Sequence, residues 1–340
     1  MTAGTAPGRA AGPARTIFFG SGPFAVPILD AVAAHPRLEV VAVVTTPDRP
    51  AGRSRSLTPT PVALRARDLG LSVHQPSSIR SAETMAELAA LAPDLGVLAD
   101  YGRIIPQALL DLPRLGILGV HPSLLPRHRG ATPIQATILA GDHDAGLAIY
   151  RMDAGLDTGP LLATESWPLD GTETAPALEA DAAARGATLL AAALPGYLDG
   201  TAPLAPQGIA PLIVTTRLTR EHARLDPARP AVELERQVRA HAGWPGSFVE
   251  TAGGRLGVIS ASVAPGEAAD EADAADIAGV AGTIVEAAGG RPAIATSQGR
   301  LVLDRVQPAG GREMAGADYL RGHRELLGTT VAGAATVSGR

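Results

Sequence analysis

The chain has 340 residues and a net charge of −5, with 39 Gly, 29 Pro and no Cys. Its length favours two domains, each able to bury its own core. Without cysteine there are no disulfides, thiolate nucleophiles or zinc–thiolate sites, which suits a reducing compartment and makes the cytoplasm the expected location. No run reaches the roughly 18–20 apolar residues of a membrane span, so no membrane role is expected. Residues 1–14, rich in Ala, Gly and Pro, lack a signal peptide's apolar segment and read as a disordered tail. The acidic balance argues against a uniformly basic nucleic-acid binder, and no DNA partner is expected. A local arginine patch remains compatible with it. The sequence contains neither Lys nor Asn, so every basic side chain in the charge count is Arg.

Short apolar runs at Thr16 to Gly20, Leu38 to Thr45, Leu95 to Ala99 and Ile117 to Val120 read as buried parallel strands. Helical spacing of apolar residues falls between them, at Ala25 to Ala34, Pro61 to Leu69 and Thr84 to Leu91. This βαβ alternation predicts an α/β fold with a doubly wound, mostly parallel, Rossmann-like sheet over residues 15–202. Gly146 to Met152 reads as a further strand and Thr188 to Asp199 as a closing helix. A Pro-rich linker at 203–211 leads into a second domain, 212–328. It starts with Ile213 to Thr215 and a helix at Ala231 to Ala240. Short segments separated by Gly turns follow, at Arg255 to Ser260, Gly282 to Glu286, Ala293 to Ser297 and Leu301 to Val306, and predict a small β-barrel of OB type. The acidic, Ala-rich stretch Glu267 to Asp276 reads as a solvated insertion, and residues 329–340 as a second disordered tail.

Gly20-Ser21-Gly22-Pro23-Phe24-Ala25 fits a GxGxxA turn, yet no acid stands at the end of the second strand to hold a ribose, so a tight turn packed on another loop is expected instead of a dinucleotide site. His121 stands just past an apolar strand, at a carboxyl end where open α/β sheets place ligands, and Asp157 lies 36 residues on in a Gly-flanked loop. A lone His there could be structural. Paired with a carboxylate, it can move protons at a carbonyl centre. Asp142-His143-Asp144 carries metal-ligand residue types, but consecutive positions rarely converge on one ion, so a loop and no metal are expected.

The segments His121-Pro122-Ser123-Leu124-Leu125-Pro126 and Gly155-Leu156-Asp157-Thr158-Gly159 resemble the folate-dependent formyltransferases, over about Thr16 to Gly322. Pro47 to Arg53 and Arg129 to Gln135 are similar to those members that act on methionyl-tRNA. The resemblance implies formyl transfer from 10-formyltetrahydrofolate, a co-substrate, to the α-amine of methionyl-initiator-tRNA, for translation initiation. It implies that His121 serves proton transfer and the oxyanion, with Asp157 as its carboxylate. Ser123, Leu124, Leu125 and Pro126 would line the folate, with Asp100, Tyr101 and Gly102 on its pterin side. Arg49, Arg53 and Arg55, on a loop at Asp48 to Thr60, would grip the tRNA, and Arg127 and Arg129 would guide its acceptor end. Trp244-Pro245-Gly246 and Val306 to Gly310 resemble C-terminal-domain signatures and are expected as core and turn elements.

Two positions depart from the family pattern. Gly119 stands where the family carries a catalytic Asn, and Asp100 where it carries a small residue. Loss of one oxyanion donor typically costs roughly 10²–10³ in rate. Restoring Asn at 119 is therefore expected to raise turnover, unless the backbone there requires glycine. Two alternatives stand beside formylation of methionyl-tRNA: a catalytically impaired tRNA-binding paralogue, and a related sugar N-formyltransferase.

Overall fold

The structure, a computed structural model, describes residues 12–51, 56–208, 214–264 and 280–332. The acidic stretch at 267–276 and most of both expected tails lie outside them. The chain forms two compact units. One takes residues up to Pro133, Asp144–Pro168 and Leu178–Thr216; the other takes Ile134–His143, Leu169–Ala177 and the chain from Arg217.

In chain order the first part contains β1 (Ala14–Gly20), α1 (Ala25–Ala34), β2 (Leu38–Val44), β3 (Arg49–Ala51), β4 (Ser56–Thr58), α2 (Pro61–Asp68), β5 (Val73–His74), α3 (Ala82–Ala90), β6 (Leu95–Ala99), α4 (Gln107–Leu110) and β7 (Ile117–His121). Then come β8 (Arg129–Gly130), α5 (Pro133–Ala140), β9 (Asp144–Arg151), β10 (Leu161–Pro168), α6 (Ala175–Leu198) and β11 (Val214–Thr215). The seven-stranded sheet has the order β10-β9-β7-β6-β1-β2-β5. Strands β7, β6, β1, β2 and β5 run parallel, while β9 and β10 close one edge antiparallel.

The chain order reverses between β1 and β6, and open α/β sheets place ligands outside the strand ends at such a switch. There the turn after β1 packs on the loop after β6, as expected: Ser21 and Gly22 donate their N–H groups to the carbonyl of Asp100 at 3.0 and 3.3 Å. Ile17, Phe18 and Phe19 are fully buried, which explains why β1 reads as one apolar run. Helix α2 starts where Pro61 follows the N-cap Thr60, whose side chain accepts from the N–H of Ala63.

Helix α6 is twice as long as the expected closing helix. Gly186 hid its first half, because glycine usually interrupts a helical pattern. Here it admits the sheet: an added Cβ would meet Val120 at 3.2 Å and Leu147 at 3.6 Å. Strand β10 was missed because it is an edge strand with little burial. Val214–Thr215 was expected to open the barrel, but β11 pairs in parallel with β8 instead.

The second part contains α7 (Ala231–Ala240), β12 (Phe248–Thr251), β13 (Gly254–Val263), β14 (Ile284–Ala287), β15 (Arg291–Ala295), β16 (Arg300–Pro308), β17 (Met314–Ala315) and α8 (Gly316–Gly322). Its sheet runs β12-β13-β16-β15-β14, all antiparallel, with β17 on β16, and forms a half-barrel. Leu234 and Val238, one turn apart on α7, enter the same core as Val258, Ile294 and Leu303. Val331 is also buried there and Thr330 bridges Thr283. The expected tail from 329 is thus corrected over its first residues, because an apolar side chain with a strand partner stays with the sheet.

Candidate active site

His121 ends β7 and is 6 % exposed. Its Nε2 lies 3.0 Å from the carbonyl oxygen of His128. A carbonyl only accepts, so Nε2 carries the proton and donates. In the neutral ring this leaves Nδ1 with a lone pair, and Nδ1 faces Oδ2 of Asp157 at 3.8 Å. That gap is too long for a hydrogen bond. It leaves the Nδ1 lone pair facing a carboxylate without a hydrogen bond to it.

Asp157 is fixed on three sides. Its Oδ2 accepts the backbone N–H of Gly130 at 2.8 Å, and its Oδ1 accepts the hydroxyl of Tyr150 at 2.6 Å. Its backbone carbonyl accepts Nε2 of Gln207 at 2.8 Å, and the same nitrogen donates to the carbonyl of Gly159. The Asp157 backbone has φ of 52°, which Asp tolerates better than most residues. Glycine is required at 159, where a Cβ would sit 1.8 Å from the carbonyl oxygen of Arg151. Asp153 is a turn residue, accepting from Gly155 N–H at 3.0 Å and Thr158 Oγ1 at 2.5 Å.

Gly119 pairs with Tyr150 across β7 and β9. Its backbone is ordinary extended strand, so conformational freedom does not explain the glycine. Space does: an added Cβ would meet Tyr150 Cε1, Cζ and OH at 2.5, 2.7 and 2.9 Å. An Asn at 119 would therefore require the phenol ring to move, a steric demand that the strand pattern alone did not show.

The loop after His121 closes on itself. Ser123 is buried and donates through Oγ to the carbonyl of Arg127 at 2.7 Å, and Leu125 is buried beside Ala148 and Tyr150. The Leu125–Pro126 peptide is cis. Leu124 and Pro126 are partly exposed. Arg129 is held by Gln207, its Nε and Nη2 donating to Oε1 at 3.1 and 2.5 Å. Sequence reasoning missed both Tyr150 and Gln207. One lies in a strand pattern and the other in a Pro-rich connector, and neither carries a local signal for the contact it makes.

The loop after β6 divides. Tyr101 turns into the core against Phe19 with ring centroids 5.8 Å apart, and burial pushes its phenol up to about 12. Its side chain is therefore not a wall of an open slot, as expected for a folate-lining residue; Gly102 is exposed. Asp100 is exposed as a residue, with its carboxyl over Gly22, where a Cβ would be 1.6 Å from Oδ2. The surrounding protein, and secondarily Glu179, push this carboxyl up to about 6.

The expected arginine loop begins and ends as a β-ladder, with Arg49 opposite Thr58 and Pro50 opposite Leu57. Arg49 is exposed; Arg53 and Arg55 lie outside the described residues. In the other unit, Trp244 is corrected from a core residue to an exposed one, with the Arg220 guanidinium 5.8 Å from its ring centroid. Gly246 and Gly310 do occupy turns with φ of 82° and 72°. Among the described residues no His, Cys, Asp and Glu side chains gather as a metal site.

The chain is 44 % identical over 318 residues to a methionyl-tRNA formyltransferase of Halorhodospira halophila, covering 94 % of this chain and 99 % of that protein. It is 43 % identical to one of Chloroflexus aggregans, covering 91 % and 97 %. Among solved structures, an N-formyltransferase from Helicobacter canadensis, in complex with folinic acid and dTDP-3-aminofucose, matches with a TM-score of 0.62. It is 15 % identical and the match covers 85 % of this chain and 98 % of that one, so it bears on the fold alone. The formyl transferase family matches residues 14–194 and its C-terminal domain matches residues 217–324, and the chain belongs to this family.

Proposed function

We propose that the protein transfers the formyl group of 10-formyltetrahydrofolate to the α-amine of methionyl-initiator-tRNA. The amine nitrogen attacks the formyl carbon and a C–N bond forms. The bond from that carbon to folate N10 then breaks, and the proton lost by the amine passes to N10. His121 Nδ1 takes this proton and returns it, while Asp157 stabilises the imidazolium between the two events. Once protonated, Nδ1–H is also a donor for the oxyanion of the tetrahedral intermediate. The arrangement of His121 Nδ1 at 3.8 Å from a carboxylate held by Gly130 and Tyr150 carries this reading.

The folate is assigned to the loops Ser123–Pro126 and Asp100–Gly102, at strand ends of the parallel sheet. Backbone groups, Leu124 and Pro126 supply the contacts there, since Tyr101 is turned away. The tRNA is assigned to the arginine-bearing loop, to Arg127 and Arg129, and to the C-terminal domain, 217–324, as an RNA-binding domain. Relatives 43–44 % identical over nearly their whole length are named for this substrate, which supports tRNA over a sugar amine.

The test is incubation of purified protein with 10-formyltetrahydrofolate and charged initiator tRNA. Formation of N-formylmethionyl-tRNA is the expected result. Tight tRNA binding without turnover would replace this reading with that of a binding protein, and turnover of an amino sugar alone would replace the substrate.

A further inference from the structure

Gly119 and Tyr150 are sterically complementary. The two residues are register partners on β7 and β9, and the Tyr150 ring fills the space over Gly119. The ring is walled by Leu125, Ala148, Met152 and Leu161 and is 3 % exposed, so it cannot swing aside cheaply. Its hydroxyl points at Asp157 and donates to Oδ1 at 2.6 Å. Burial, and then the Asp157 charge, push the phenol well above its ordinary value, so it remains a donor throughout the working range. The other carboxylate oxygen is the one that accepts Gly130 N–H and faces His121.

We propose that Tyr150 is a positioning residue for formyl transfer: it occupies the volume left free by Gly119 and holds the Asp157 carboxylate so that Oδ2 addresses His121. Glycine at 119 is then a requirement of this arrangement and not a defect in the site. The inference rests on the proposed formyl transfer. It also goes beyond it, since it assigns the substitution at 119 a partner and a purpose. A hydrogen bond from a neutral donor to a buried charge contributes enough that its removal lowers rate by roughly tenfold to a hundredfold when that charge must be aimed.

Tyr150→Phe is the direct test, because it keeps the ring over Gly119 and removes only the hydroxyl. The expected result is a kcat roughly ten to a hundred times lower, with KM for folate and for tRNA close to the parent's and a thermal midpoint lowered by about a few degrees. In an Asp157→Ala background, measured by single turnover, the same change should cost little, because the hydroxyl acts through that carboxylate. Parental kcat in Tyr150→Phe, or equal losses in both backgrounds, would overturn the proposal.

The steric half has its own test. Gly119→Asn should lower the thermal midpoint and turnover, and trimming the ring in Gly119→Asn/Tyr150→Ala should recover stability relative to Gly119→Asn alone. A Gly119→Asn protein with the parent's midpoint and turnover would show that the ring does not fill that space. An inactive parent would instead count against formyl transfer, which keeps the two failures apart.

Discussion

Gln207 donates from Nε2 to the main-chain carbonyl of Asp157 at 2.8 Å, while its Oε1 accepts from Arg129. One side chain thereby ties the carboxylate-bearing loop to the strand β8 that also supplies Gly130 N–H. The neighbouring Ala205 pairs with Leu161 through both backbone groups, which fixes the segment carrying Gln207.

Gln207→Ala should therefore disturb catalysis without touching substrate. It removes the donor to Asp157 and Gly159 and the acceptor for Arg129, and each ordinary hydrogen bond contributes about 1 kcal/mol. The expected outcome is a drop in kcat of about tenfold and a faster hydrogen exchange confined to residues 155–159 and 129–130. Unchanged exchange there would mean that the loop holds its shape without Gln207.

His121→Ala removes the group that moves protons, and general acid–base catalysis is worth about 10²–10⁴ in rate. Losses of that size are expected in His121→Ala and in Asp157→Ala, and the double variant should be little worse than either, since residues acting as a unit do not add. Steady-state rates of the three folded proteins check this; multiplicative losses would separate the two roles.

Arg49 is exposed at the start of the hairpin, where a guanidinium can reach phosphate. Arg49→Ala should weaken tRNA binding, reduce the slope of log K against log salt by about 1 and leave folate KM alone. Titrations at several salt concentrations measure it, and an unaltered slope would make this side chain a bystander.

Asp100 carries a pH dependence whose sign is fixed. Its carboxyl rises from 3.8 to about 6 on folding, so the folded state binds the proton more tightly between those values. Its contribution favours folding below about pH 4 and is lost as pH rises through about 6. Solvent reaches the residue, so the effect is screened to about 1 kcal/mol or less, well under the value for a fully desolvated group. Asp100→Ala should accordingly be more stable than the parent at pH 7, with the difference shrinking toward pH 4. Denaturant midpoints across this range test it, and a pH-independent difference would assign the change to packing.

The sequence by itself determined the parallel sheet, because β6, β7, most of β1 and the second half of β2 are buried on both faces and so appear as nearly continuous apolar runs. It also carried His121 and Asp157, since their Gly- and Pro-bounded segments are distinctive even 36 residues apart. The tertiary structure decided what surrounds them. Tyr150 lies over Gly119 only because β9 enters antiparallel beside β7, and a register partner cannot be read from either strand alone. Gln207 reaches Asp157 only because the connector returns along β10, and Tyr101 leaves the site because its ring gains more from the core at Phe19 than from solvent. Local pattern fixes which residues are apolar and which carry chemistry. Which of them meet depends on strand register and crossover, both set by packing across the whole sheet.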